Sequence, residues 1–142
     1  MKVVDLNLLL YAVNADAPQH RRARAWWEAC LNGDEQIGLA WPVILGFLRI
    51  CTRPGVLPRP IRVKQALDVV EAWLNHPSVT RLTPGEAHWA IFRGLVEASG
   101  TAGNLTTDAH LAALAVEYEA TLYSSDDDYK RFKSLRFENP LA

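Results

Sequence analysis

The stretch KVVDLNLLLYAV, Lys2 to Val13, decides how the rest of the chain is read. Lys2-Val3-Val4 is short and apolar, so it reads as a buried strand ending on the carboxylate of Asp5, and Leu6 to Val13 reads as an apolar helix. Asn14-Ala15-Asp16-Ala17-Pro18 then breaks the helix. A strand passing at once into a helix suggests the first half of a parallel crossover, and the question is whether the pattern repeats.

It does. His20 to Leu31 has helical composition, with Trp26 and Trp27 toward the core, Arg21, Arg22 and Arg24 toward water, and a stop at Asn32-Gly33. Ile37 to Ala40 is a second strand. Pro42 opens a helix that Val43 to Cys51 continues, because the first helical position does not need an N–H. Pro54, Gly55, Pro58 and Pro60 mark the loop beyond it. Ile61 to Asn75 is an amphipathic helix with Val63, Ala66, Leu67, Val70 and Leu74 at helical spacing, followed by a third strand at Ser78 to Leu82.

Thr83-Pro84-Gly85-Glu86 has the form of a capping box, which predicts a helix from Pro84 to about Ser99. After a loop at Gly100 to Asn104, Leu105 to Glu119 is apolar nearly all round and therefore a buried helix. Thr121 to Ser124 is the fourth strand, Asp126 to Phe132 begins a short helix, and Leu135-Arg136-Phe137 is a candidate edge strand. The order predicts a three-layer α/β/α sandwich around a mostly parallel sheet of four to five strands, with residues 1–142 forming one domain. Its ligand crevice would lie beyond the carboxyl ends of the strands.

Composition agrees. The chain is 49% hydrophobic and 22% charged, enough to bury a core without metal or disulfide staples. Cys30 and Cys51 lack a partner at ligand spacing, which argues against a zinc site and suits a reducing cytoplasm. Asp5 interrupts the N-terminus before a signal-peptide core forms, and no apolar run is long enough to span a bilayer, so neither export nor membrane insertion is expected.

The formal net charge of -1 hides a segregation. No Asp or Glu occurs between Gln36 and Leu67, where Arg49, Arg53, Arg59, Arg62 and Lys64 lie, and Lys130, Arg131, Lys133 and Arg136 form a second basic group. Arg49, Arg53, Arg59 and Arg62 are therefore candidates for holding a phosphate backbone.

Three acidic points fall where the crevice should be: Asp5, Asp108 and the run Asp126-Asp127-Asp128. Bringing two carboxylates to about 4 Å costs on the order of 4 kcal/mol at an effective dielectric near 20, so convergence calls for a cation or a proton. Magnesium and manganese take oxygen ligands and are commonly held by one or two carboxylates together with substrate phosphates, which makes such a pocket a phosphodiester hydrolase site. Zinc lacks a convincing His/Cys set.

Each acid also has a plainer reading. Asp5 could cap the helix after it, Asp108 could complement the positive end of its own helix, and Asp127 reads best as a solvated turn residue. Glu117, nine residues after Asp108 and thus about 13 Å along a helix, is too far to share an ion and is read as solvent-facing or structural. His110 is nearest the acids but reads as a surface or packed residue, His20, His76 and His88 have less support, and Trp41 at a strand-to-helix junction reads as core. No G-x-S-x-G, P-loop or G-x-G-x-x-G motif is present.

In order and spacing, Val3-Val4-Asp5-Leu6-Asn7, Thr107-Asp108-Ala109-His110-Leu111-Ala112-Ala113-Leu114-Ala115 and Ser124-x-Asp126-x-Asp128-Tyr129 resemble the PIN-domain VapC toxins. The likeness extends to Trp41 through Arg49 and to Asn139-Pro140-Leu141, so it covers essentially the whole chain. It implies a PIN-like fold, a four-acid pocket binding Mg²⁺ or Mn²⁺, endonucleolytic cleavage of RNA, inhibition by a cognate VapB-type antitoxin, and a homodimer within a larger complex. Asp5 and Asp108 match the principal metal ligands and catalytic acids, Asp126 the later acid with Asp128 in the same motif, and Asn7 and Ser124 the supporting polar positions. One departure stands at Gly46, where many members place a glutamate three residues before the arginine that Arg49 matches.

Two other readings compete. A catalytically weak or inactive PIN-fold module could bind RNA without cutting it, and metal-dependent cleavage separates the two. A receiver-type phosphoryl-transfer regulator would want paired acids near the N-terminus and a late lysine at a strand end, and neither occurs.

Overall fold

The structure, a computed structural model, describes residues 1–142. Five strands, β1 (Lys2–Val4), β2 (Ile37–Ala40), β3 (Val79–Leu82), β4 (Thr121–Tyr123) and β5 (Arg136–Glu138), form one sheet in the order β3-β2-β1-β4-β5, and every pairing is parallel. Six helices connect them: α1 (Leu6–Val13), α2 (His20–Asn32), α3 (Trp41–Thr52), α4 (Val63–Asn75), α5 (His88–Ser99) and α6 (Thr106–Glu117). Right-handed crossovers from β1 through β2 to β3 send α1 to α4 to one face, and the return from β3 to β4 reverses direction and sends α5 and α6 to the other. The packing agrees: α1 lies on α2 and α3, α3 on α4, and α5 on α6. The result is the expected α/β/α sandwich.

The central strands are continuous apolar runs because both faces are covered. Val3, Val4, Ile37, Leu39, Ala40 and Leu122 are fully buried, and α6 adds Ala109 and the unbroken run Leu111 to Ala115. Its alanines let the helix approach the sheet closely while Leu111 and Leu114 fill the gaps, each such burial being worth roughly 2 kcal/mol. Cys30 and Cys51 are buried and free, and burial raises both thiols, that of Cys51 to about 11.

Three expectations change. The capping box at Thr83 does not form, and α5 begins at His88 with no side-chain cap. Tertiary hydrogen bonds take that segment away: the Gly85 N–H donates to Glu117 Oε1 at 2.9 Å, and the Tyr118 hydroxyl donates to the Thr83 carbonyl at 3.0 Å. A Cβ on Gly85 would lie 2.4 Å from Glu117 Oε2, so glycine permits this approach. Glu117 is thus structural, one of the two roles expected of it.

Helix α4 starts at Val63 rather than Ile61, whose N–H goes instead to the Cys51 carbonyl at 2.8 Å. Its inward face is Ala66, Val70 and Trp73, while Val63 and Leu67 are 63% and 50% exposed. Trp73 sets the roll of the helix through edge contacts with Phe47 at 4.8 Å and Trp27 at 5.6 Å between ring centroids. Trp41, expected in the core, is 42% exposed at the start of α3.

Candidate active site

Strands β1 and β4 lie side by side with Val4 opposite Tyr123, so Asp5 and Ser124 leave the sheet as neighbours. The Asp5 N–H donates to the Tyr123 carbonyl at 3.0 Å and holds the two strand ends together one residue beyond the ladder. The strand order switches here, with β2 on one side of β1 and β4 on the other, and such a point opens a crevice at the carboxyl ends. Because α6 runs directly into β4 and antiparallel to it, the N-terminal turn of α6, with Asp108, returns to the same rim.

A hydrogen-bond network fixes the acids. Asp5 is the N-cap of α1: its Oδ1 accepts the Leu6 N–H at 2.8 Å, and its Oδ2 accepts the Ser124 hydroxyl at 2.7 Å. Capping and a place in the crevice are therefore compatible. Ser124 is completely buried, and its oxygen also accepts from Asn7 Nδ2 at 3.1 Å and the Asp126 N–H at 3.0 Å. Asn7 closes the loop by accepting the Ser125 N–H at 3.3 Å.

Asp126 caps the short 3₁₀ turn Asp127–Arg131 by accepting the Asp128 N–H at 2.9 Å. Asp108, in the first turn of α6, accepts a hydrogen bond from the Tyr129 hydroxyl at 3.1 Å. Tyr129 is buried, and burial together with the surrounding carboxylates pushes its phenol far above the usual range, so it remains a protonated donor. The plain readings hold for Asp127, exposed and 3.7 Å from Lys130, while exposed Asp128 lies near enough to act on Asp108.

Asp5, Asp108 and Tyr129 line a crevice of about 120 Å³ walled by Leu6, Val43 and Leu111. Burial raises the Asp5 carboxyl above its ordinary range, and Asp108 and Asp126 add to the rise against the stabilising bonds from Ser124 and Leu6. Asp108 is likewise raised, first by burial and then by Asp126 and Asp128, while Tyr129 and Arg131 oppose. No Lys, Arg or His forms an ion pair with Asp5, Asp108 or Asp126.

The site thus gathers negative charge with no protein cation in an ion pair with it; Arg131 acts on Asp108 from beyond ion-pair distance. No three Asp, Glu, His or Cys side chains close into a ready-made cage. Two converging carboxylates with open positions are nevertheless the donor set that magnesium or manganese uses when waters and phosphates complete its shell, so these residues fit such an ion. At Gly46, an added Cβ would meet Leu6 Cδ2 at 2.7 Å, so the place of the missing glutamate is filled by the same leucine that walls the crevice.

The four candidate arginines are all exposed but not equivalent. Arg49 is in the last turn of α3, Arg53 follows that helix and Arg62 precedes α4. Arg59 instead forks onto Asp16, with contacts of 2.6 and 3.0 Å, past the end of α1 opposite to Asp5.

In the sequence Tyr129 is only the last residue of the Ser124-to-Tyr129 motif; the signal for its role is an aromatic set directly after three acids. Sequence reasoning missed a pair of histidines: His88 Nε2 and His110 Nδ1 are 3.0 Å apart. Burial, then the neighbouring His88, lowers the His110 pKa.

Fold and rim together define an all-parallel α/β sandwich carrying an acid crevice at its switch point, and comparison with known proteins narrows the class. The PIN domain family model matches residues 2–135. Over 141 residues the chain is 48% identical to Ribonuclease VapC33 of Mycobacterium tuberculosis, covering 99% of each. It is 41% identical to Ribonuclease VapC37 of the same organism, covering 100% of this chain and 99% of that one. The fold is also that of VapBC-1 from nontypeable Haemophilus influenzae, with a TM-score of 0.69 at 13% identity, covering 99% of this chain and 98% of that chain. The chain belongs to the PIN domain family and, within it, to the VapC group. No helix is long and apolar enough to cross a membrane.

Proposed function

We propose that this chain is the toxin of a VapBC-type toxin–antitoxin pair: a cytoplasmic, metal-dependent endoribonuclease, residues 1–142 acting as one PIN domain, restrained by a cognate VapB-type antitoxin. The observation that carries the reading is the carboxylate group Asp5, Asp108 and Asp126, held by neutral donors with no protein cation in an ion pair with it. Relatives named ribonucleases at 48% and 41% identity support it. The fold likeness to chains of VapBC assemblies supports the partner, and exposed apolar side chains such as Leu45, Val63 and Leu67 are suited to contact with an antitoxin or a second toxin copy.

Asp5 and Asp108, with Asp126 and Asp128 near enough to act on Asp108, would hold Mg²⁺ or Mn²⁺, which would supply charge neutralisation at the scissile phosphate and acidify a water. Ser124 and Asn7 keep the Asp5 carboxylate facing the crevice, and Tyr129 does the same for Asp108. Leu6, Val43 and Leu111 narrow the site and keep bulk water from screening its charges. Arg49, Arg53 and Arg62 offer guanidinium groups to the RNA backbone; Arg59 joins them only when its pair with Asp16 opens.

The test is to incubate cellular RNA with Mn²⁺ and either the wild type or Asp108→Asn, and to sequence new 5′ ends. Discrete ends produced by the wild type and lost in a folded, RNA-binding variant are expected. An identical pattern from both would overturn the mechanism. Leucine packing at Gly46 favours a second reading, an RNA-binding module with little turnover, and binding without any new ends would establish that one instead.

A further inference from the structure

Beside the acid crevice lies a larger cavity of about 430 Å³, bounded by Pro42, His88, Trp89, Phe92, Thr107 and His110. It shares Pro42 and Thr107 with the crevice, so the two are adjoining compartments of one rim. Helix α6 supplies both. With 100° of turn per residue, Asp108 and Leu111 face the acids, while Thr107 and His110, three residues apart, share the neighbouring face.

The lining is mostly apolar and aromatic, with the threonines and the histidine pair as its polar groups. Trp89 is 67% exposed and stacks on Phe92, with centroids 5.8 Å apart and planes 29° apart. Phe92 in turn stacks with His88 at 6.3 Å and 22°. An indole left this open beside a cavity is a ready π-face, of the kind on which single-stranded nucleic acid stacks its bases.

The histidine pair is held by contacts beneath it. Glu117 Oε1, fixed by the Gly85 N–H, lies 3.8 Å from His88 Nδ1, which is buried and has no hydrogen-bond partner. That distance is too long for a hydrogen bond. His88 Nε2 and His110 Nδ1 share one hydrogen bond at 3.0 Å, which leaves His110 Nε2 outside the pair. Thr107, exposed, lines the same cavity.

A metal site does not suit this arrangement, because the two imidazoles bond each other instead of converging on a third point. Purely internal packing accounts for the histidine pair but not for an open cavity and an exposed indole continuous with the acid crevice.

Resting on the ribonuclease reading, we infer that this cavity receives one unpaired nucleobase of the RNA next to the cut phosphate, stacked on the open indole of Trp89 with its polar edge toward His110. The acids act on a phosphate, which every nucleotide carries; the adjoining pocket is where one nucleotide can be told from another.

The test uses labelled homopolymers of each of the four ribonucleotides and an abasic ribose-phosphate oligomer of equal length. Their binding to the full chain is measured in Ca²⁺ by fluorescence anisotropy for wild type, Trp89→Ala and Trp89→Phe. At least one homopolymer should bind wild type about ten- to a hundredfold more tightly than the abasic oligomer. Trp89→Ala should remove most of that difference, and Trp89→Phe should restore part of it. In parallel, cleavage of a randomised single-stranded RNA pool in Mn²⁺ should show a base preference at one position flanking the cut that Trp89→Ala weakens.

Unchanged binding and unchanged preference in Trp89→Ala, with cleavage normal, would overturn the base pocket and leave the ribonuclease standing. Base-dependent binding lost in Trp89→Ala, with no cleavage by wild type, would remove the ribonuclease and retain the pocket. A Trp89→Ala protein weakened only toward its antitoxin, and not toward RNA, would assign the cavity to a protein side chain and overturn the inference.

Discussion

Two compartments share helix α6 and are built on opposite principles. The acid crevice is small, about 120 Å³, and its carboxylates repel one another against a background of burial. The histidine cavity is about 430 Å³, carries no unopposed charge and is lined with rings that satisfy or stack on each other. One is a strained arrangement suited to an ion and a phosphate; the other is a relaxed one suited to a flat, polar-edged ligand. The difference teaches that the helix register decides function: moving from Asp108 to His110 turns the side chain about 200° around the helix and into a different chemistry.

The sharpest break between them comes from Asp108→Asn. It should lower RNA cleavage by about a thousandfold or more, since each tenfold is roughly 1.4 kcal/mol of barrier, while RNA affinity hardly moves. Trp89→Ala should do the reverse and raise KM more than it lowers kcat. Steady-state cleavage of one labelled RNA by both variants checks the pair, and matching kcat losses would erase the distinction.

A smaller effect is expected of Tyr129→Phe, which removes the hydroxyl bonded to Asp108 and leaves the carboxylate less well solvated. Hydrogen bonds to charged groups are worth about 1.5–3 kcal/mol, so Mn²⁺ affinity should fall roughly tenfold or more near neutral pH. Isothermal titration of Mn²⁺ reads this directly, and an affinity equal to wild type would detach Tyr129 from the site.

The strain itself has a pH signature. Asp5 and Asp108 have folded-state pKa values raised above the ordinary 3.8. Their contribution to the ion-free fold is therefore greatest when they are protonated and is lost as pH rises through the raised values. Without metal, Asp108→Asn should melt at or above the wild-type temperature at pH 7, and added Mn²⁺ should raise the melting temperature of wild type alone. That gain should itself fade as pH drops through the raised pKa values, because the ion needs both carboxylates ionised. Thermal unfolding across pH, with and without Mn²⁺, follows both signs; a variant less stable than wild type in the absence of metal would contradict the strained crevice.

The smallest effect belongs to Arg59, exposed and already paired with Asp16. Arg59→Ala should leave the slope of log RNA affinity against log salt unchanged, whereas Arg49→Ala and Arg53→Ala should each flatten it by up to about one unit. Stability should change by less than about 1 kcal/mol for Arg59→Ala, as for most exposed ion pairs. A flatter salt slope in Arg59→Ala would return that residue to the RNA path.

Much of this was legible in the sequence because it is local. Alternating apolar runs and breakers placed all five strands and six helices, and spacing along those elements delivered Asp5, Asp108 and Asp126 to one rim, since a parallel α/β sheet puts strand ends and helix starts on the same side. The support of the acids by Asn7 and Ser124 was implied by the family resemblance alone; the two hydrogen-bond to each other there. What only the tertiary structure decided is set by contacts between residues far apart in the chain. Gly85 gives its N–H to Glu117 and so displaces a capping box that looked complete; Trp73 meets Trp27 and Phe47 and so rolls α4 to expose Val63 and Leu67; Leu6 fills the space at Gly46. His88 and His110, twenty-two residues apart, become a bonded pair for the same reason. Periodicity tells which face of an element is apolar, but which partner that face meets depends on packing, and packing is a property of the whole chain.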